Sequence, residues 1–71
     1  MMKIKTQNGT IENIVEIILA NTKITGTPAK DKRKRVFLGE YSSRERATEV
    51  YVEATELGWS EKNPVYVMPA E

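Results

Sequence analysis

One stretch declares its structure at its start, along its face and at its stop, and the rest of the chain has to fit around it. Ser42-Ser43-Arg44-Glu45 holds the Ser-x-x-Glu of a capping box, in which the hydroxyl accepts from the Glu45 amide while the Glu45 side chain reaches back. Ala47, Val50, Ala54 and Leu57 then recur at helical spacing, Tyr51 widens the stripe, and Arg44, Thr48 and Thr55 face away, with Val52 as the exception. Leu57-Gly58 closes the segment, because glycine takes the left-handed conformation past a helix end and lets Trp59 fold back toward Ala54. A single amphipathic helix, Ser43 to Leu57, needs one apolar surface to lie on, so the flanking segments must supply a sheet.

Those flanks read as strands. Met2 to Gln7 leads into Asn8-Gly9, a type I′ hairpin signal, with Thr10-Ile11 beyond. Ile11, Ile14, Val15, Ile18 and Leu19 fall at helical spacing, yet the segment is rich in β-branched residues and continues into the Thr-rich run Asn21 to Thr27. The sequence predicts a long strand from Val15 to Thr27 after a turn near Asn13, with a helix over 11–20 as the alternative. Thr27-Pro28-Ala29 breaks it, and Lys30 to Arg35 forms a charged hairpin tip before a strand over Val36 to Tyr41. Phe37 and Tyr41 share one face of that strand and Val36 and Leu38 the other; the rings are expected in the core, with an exposed aromatic platform as the alternative if the helix covers the Val36/Leu38 face. After a loop at Ser60 to Pro64, Val65 to Met68 is a last short strand. The expected fold is one α+β domain over residues 1–71: a mostly antiparallel sheet of four to five strands with one helix on one face, ordered β-β-β-β-α-β.

Composition then removes function classes. The 71 residues contain no Cys and no His, so neither a disulfide nor a Cys/His zinc site supports a core that at this size supplies only roughly 3–5 kcal/mol. The same absence takes away the ordinary general base near neutral pH and the Ser–His and Cys–His nucleophile pairs. A Ser–Lys dyad from Ser42 or Ser43 with Lys34 or Lys62 has no oxyanion motif beside it, and the isolated glycines make no phosphate loop. No stretch approaches the ~20 apolar residues of a membrane span, and no leader pattern follows Met1. The expectation is a soluble, unprocessed, cytoplasmic, non-enzymatic protein with no cofactor, no metal and no small-molecule substrate.

Leu38-Gly39-Glu40-Tyr41-Ser42-Ser43-Arg44-Glu45-Arg46-Ala47-Thr48-Glu49-Val50 resembles a pattern of small uncharacterised proteins from Gram-positive bacteria and their phages or mobile elements. Such proteins also open with a strand, an Asn-Gly or Asp-Gly turn and a second strand, and many close on Met-Pro, as at Met68-Pro69. The resemblance implies the β-β-β-β-α-β order and brings no activity or binding residue with it. The Lys30 to Arg35 tip departs from the pattern, where a short Gly-containing polar turn is usual.

Two constellations remain as sites. Lys30, Lys32, Arg33, Lys34 and Arg35 with Asp31 give the tip a local charge of +4 in a chain of net charge +1, so the remainder is −3. Such a finger contacts phosphates and releases counterions; the plain alternative is a solvated loop whose lysines discourage edge pairing. Tyr51, Trp59 and Tyr66 gather where the helix meets the last strand and are either core or an aromatic interface anchor. Glu45, Glu49, Glu53 and Glu56 form an acidic ridge, read as a solubilising face or as the counterpart of another protomer's tip rather than as a metal site. The leading expectation is a binding or structural module working through protein contacts with an unknown partner or as a homodimer. Nucleic-acid binding through the tip is the alternative.

Overall fold

Alternation starts at the first strand, where Met2 and Ile4 are buried while Lys3 and Lys5 point to solvent. The computed structural model describes residues 2–57 and 65–70. Strands β1 (Met2–Lys5), β2 (Ile11–Ala20), β3 (Lys23–Pro28) and β4 (Val36–Glu40), helix α1 (Arg44–Leu57) and strand β5 (Tyr66–Val67) follow one another in the chain. They build one five-stranded sheet ordered β4-β3-β2-β1-β5, antiparallel throughout except where β5 runs parallel to β1. The α+β fold and its element order are those the sequence predicts; several boundaries are not.

The expected turn near Asn13 does not exist, because Asn13 lies inside β2 opposite Lys3. The chain reverses instead at Asn21-Thr22, between the paired residues Ala20 and Lys23, so the single strand expected over Val15 to Thr27 is two. Asn21 makes this turn with φ 60°, a left-handed conformation that asparagine tolerates better than other non-glycine residues. The first hairpin also differs. Gly9, with φ 89°, is the positive-φ residue there, the Gly9 amide donates to the Thr6 carbonyl at 2.9 Å, and the Thr6 amide donates to Thr10 at 2.8 Å. This is a three-residue loop ending in a left-handed glycine rather than a two-residue type I′ turn.

A bulge explains why β2 imitates a helix. Ile14 pairs with Pro28 and Glu16 with Thr27, which leaves Val15 as an extra residue. The insertion stretches the strand period from two to three at that point, so Ile14 and Ile17 both reach the core. Of the five apolar residues in the helical stripe only Ile14 is fully buried, and Ile11 is 59% exposed. A second bulge in β4 inserts Leu38 between the pairs Thr25–Phe37 and Ile24–Gly39. Leu38 therefore turns inward and Phe37 outward, while Tyr41, beyond the end of the strand, is buried. Phe37 and Tyr41 do not share a face.

The sheet is rolled. Gln7, just past β1, donates its backbone N–H to the Leu38 carbonyl of β4 at 2.9 Å, although β2 and β3 lie between the two strands. Strands three places apart stand about 14 Å from each other in a flat sheet, so this bond requires the sheet to curl toward closure. The Gln7 side chain completes the seam: Oε1 accepts from the Glu40 amide at 2.8 Å, and Nε2 donates to the carbonyls of Pro69 at 2.9 Å, Ala70 at 3.2 Å and Glu40 at 3.3 Å. The Tyr41 hydroxyl donates to the same Pro69 carbonyl at 2.8 Å. Gly39 lies under this clamp, where a Cβ would come within 3.0 Å of the Tyr41 hydroxyl and 3.1 Å of Gln7 Cδ.

Helix α1 covers the concave side, placing Ala47, Val50 and Ala54 against a core that includes Ile4, Ile14, Ile24 and Leu38. Its cap is Ser43 rather than the Ser42 of the expected box: Ser43 Oγ accepts from the Arg46 amide at 3.1 Å, and the Ser43 carbonyl accepts from Ala47. Glu45 is consequently at the second helical position, one residue too early to reciprocate. The expected Gly58 stop, the Trp59 contact and the Ser60 to Pro64 loop lie outside the described residues.

Candidate nucleic-acid interface

The tip is a built turn. Asp31 Oδ1 accepts from the Arg33 amide at 3.0 Å and the Asp31 carbonyl accepts from the Lys34 amide at 3.1 Å, an Asx-turn nested in a β-turn. Arg33 Nε also lies 3.4 Å from Asp31 Oδ1, an ion pair whose arginine side chain is 92% exposed and which therefore adds little beyond the backbone bonds. The sequence could have pointed to this order, since Asp at the start of a turn hydrogen-bonds the backbone two residues on. Lys30, Lys32, Arg33, Lys34 and Arg35 are all exposed around this frame.

The base of the tip leans over the sheet surface that the helix leaves uncovered. Arg35 Nη1 donates to Thr27 Oγ1 at 3.4 Å, and Arg35 and Lys32 border a shallow depression with Val15, Glu16 and Thr27. Thr27 is only 6% exposed although it faces away from the helix, because this loop lies against it. Lys3, Lys5 and Lys23 point to the same side, each being adjacent in its strand to a buried Met2, Ile4 or Ile24. The helix is on the other side, and its Glu45, Glu49, Glu53 and Glu56 are exposed. The tip and the lysine face thus carry a net positive charge although Glu16 and Glu40 share that face, and the helix, with four Glu against Arg44 and Arg46, carries a net −2. Among the described residues no group of three or more carboxylates converges on a metal position.

The aromatic constellation is placed differently. Tyr66 is 7% exposed, and its hydroxyl donates to Glu53 Oε1 at 2.6 Å, tying β5 to the helix. Burial first, and then the Glu53 carboxylate, hold this phenol well above the ordinary tyrosine range. Tyr51 is half-buried and packs on the core, and Trp59 lies outside the described residues. Phe37 lines a cleft at the rolled seam beside Lys5, Gln7, Asn8 and Val67. Ile11 and Val67, each 59% exposed, both pair with Lys5 and so form a row across β2, β1 and β5. The role of Gln7 had no sequence signal, since a polar residue at the end of a strand looks like any other. No helix among the described residues is long and apolar enough to cross a membrane. Comparison with protein-family models, with curated proteins and with solved structures gave no match.

Proposed function

We propose that the chain is a small, non-enzymatic nucleic-acid-binding module of the cytoplasm that meets the phosphate backbone with the Lys30 to Arg35 tip. The observation that carries it is the Asp31-ordered turn, which presents five exposed cations on the side of the domain away from the helix glutamates. A preformed loop loses less conformational entropy on binding than a floppy one, so its cations act together. Fluorescence anisotropy with single- and double-stranded probes tests this. Binding at low salt, a steep loss of affinity as salt rises, and loss of binding when Lys32, Arg33, Lys34 and Arg35 are changed to Ser are the expected results. A wild type that binds neither probe at low salt refutes the proposal.

A second reading is a module working through protein contacts, with a second copy of the chain as partner. It draws support from the exposed row Ile11, Lys5 and Val67 and from the opposite net charges of the two faces. Light scattering after size exclusion giving twice the chain mass, and reverting to the single mass when Val67 is changed to Lys, would favour it. A single mass at high concentration refutes it.

A further inference from the structure

The strand register brings into line with the tip two lysines that lie far from it in the sequence. Lys3 of β1 is directly opposite Asn13 of β2, and the Asn13 carbonyl accepts from the Ala29 amide at 2.9 Å, at the foot of the tip. Lys3, Asn13 and Ala29 therefore form one row across three strands, with Lys3 about 10 Å from the foot of the tip by ordinary strand spacing. Lys5 follows two residues along on the same face. Asn13 is exposed between Lys3 and the foot of the tip, so a polar row joins the two, while Lys5 stands beyond it between the exposed Ile11 and Val67.

Resting on the nucleic-acid reading above, we infer that Lys3 and Lys5 are part of the interface and that its occupant is duplex DNA, gripped through phosphates on both sides of one groove. A two-stranded ribbon enters a major groove about 12 Å wide, and a lysine pair about 10 Å to one side stands over the bordering backbone. Single strands are held largely by stacking bases on exposed rings. Among the described residues the stretch from Arg35 and Lys32 through Asn13 to Lys3 has no aromatic side chain; the one ring near it, Phe37, is half-buried in the cleft it shares with Lys5 at the seam. Phosphate contact without stacking is the chemistry of duplex binding.

The salt dependence of duplex affinity reads the inference directly. Each phosphate contact adds roughly 0.9 to the magnitude of the slope of log affinity against log salt, so the double variant Lys3→Gln/Lys5→Gln should flatten it by about 1.8 and weaken low-salt binding on the order of tenfold. Lys23→Gln is the control: Lys23 shares the face but pairs with Ala20 and Glu40, about 17 Å further along β3. It should leave the slope unchanged. Glu16, the one carboxylate bordering the depression beside Lys32 and Arg35, supplies an arm that misfolding cannot mimic, since Glu16→Gln should tighten duplex binding severalfold. If wild type binds and the tip variant does not, while Lys3→Gln/Lys5→Gln keeps the full slope, the extended interface is refuted and the tip reading survives. Tighter binding to single strands than to duplex refutes duplex as the occupant. No binding by wild type removes both.

Discussion

Replacing Gln7 should open the rolled sheet at its seam. In Gln7→Ala the backbone bond to Leu38 remains, but the acceptor for the Glu40 amide at 2.8 Å and the donor to Pro69 at 2.9 Å are lost, together with the longer contacts to Ala70 and Glu40. A typical net hydrogen bond contributes about 0.5–1.5 kcal/mol, and most of these partners can turn to water, so two good bonds give an expected loss of about 1–3 kcal/mol. In a domain of this size each kcal/mol moves the melting temperature by about 4–8 °C, which calorimetry or thermal circular dichroism resolves. Gln7→Glu sharpens the test. At neutral pH its carboxylate still accepts from Glu40 but faces the Pro69, Ala70 and Glu40 carbonyls without a proton to donate, so it should cost more than Gln7→Ala. Near pH 4, where a carboxyl takes up its proton, the difference between the two variants should shrink. A Gln7→Ala protein within about 0.3 kcal/mol of wild type, or a Gln7→Glu protein as stable as wild type at pH 7, would refute the clamp.

Gly26→Ala should lose about 1–3 kcal/mol in urea unfolding, because a Cβ there comes within 3.0 Å of Ile14 and 3.1 Å of Leu38 in a filled core; an unchanged midpoint would mean the core has slack. Tyr66 gives a pH signature. Its phenol is raised in the folded state above the unfolded value near 10, so its contribution is fully present below about pH 10 and is lost as pH climbs beyond it. Wild type should thus lose more stability between about pH 10 and 11.5 than Tyr66→Phe does, the variant being weaker by about 1 kcal/mol at pH 7 for want of the bond to Glu53. Parallel curves for the two proteins would contradict this.

How far the sequence could be read follows from where local chemistry decides and where tertiary pairing does. The helix was legible because its stripe and its serine start are local, and even there the cap moved by one residue, from Ser42 to Ser43. The tip and its five cations were legible for the same reason. Asn21-Thr22 was not: it has no glycine, and asparagine's tolerance of a left-handed φ becomes a turn only when β2 and β3 pair on either side of it. The bulges at Val15 and Leu38 were hidden for a related cause, since an inserted residue is defined by what the neighbouring strand does opposite it. That is also why Phe37 and Tyr41, two positions of equal parity, separate to different sides. The alignment of Lys3 with the tip is a property of register and exists nowhere in the linear order.

The opposite net charges of the tip-bearing sheet face and the helix make the domain an electric dipole. A polyanion would turn such a body before touching it, swinging the Lys30 to Arg35 end forward and the helix glutamates away, so that a larger share of encounters begins in a productive orientation. The torque acts only within the screening distance, about 8 Å at physiological ionic strength, which is less than the 19 Å of the domain's shortest dimension. Raising salt would therefore slow association by blurring orientation, even at concentrations where contacts, once made, still hold.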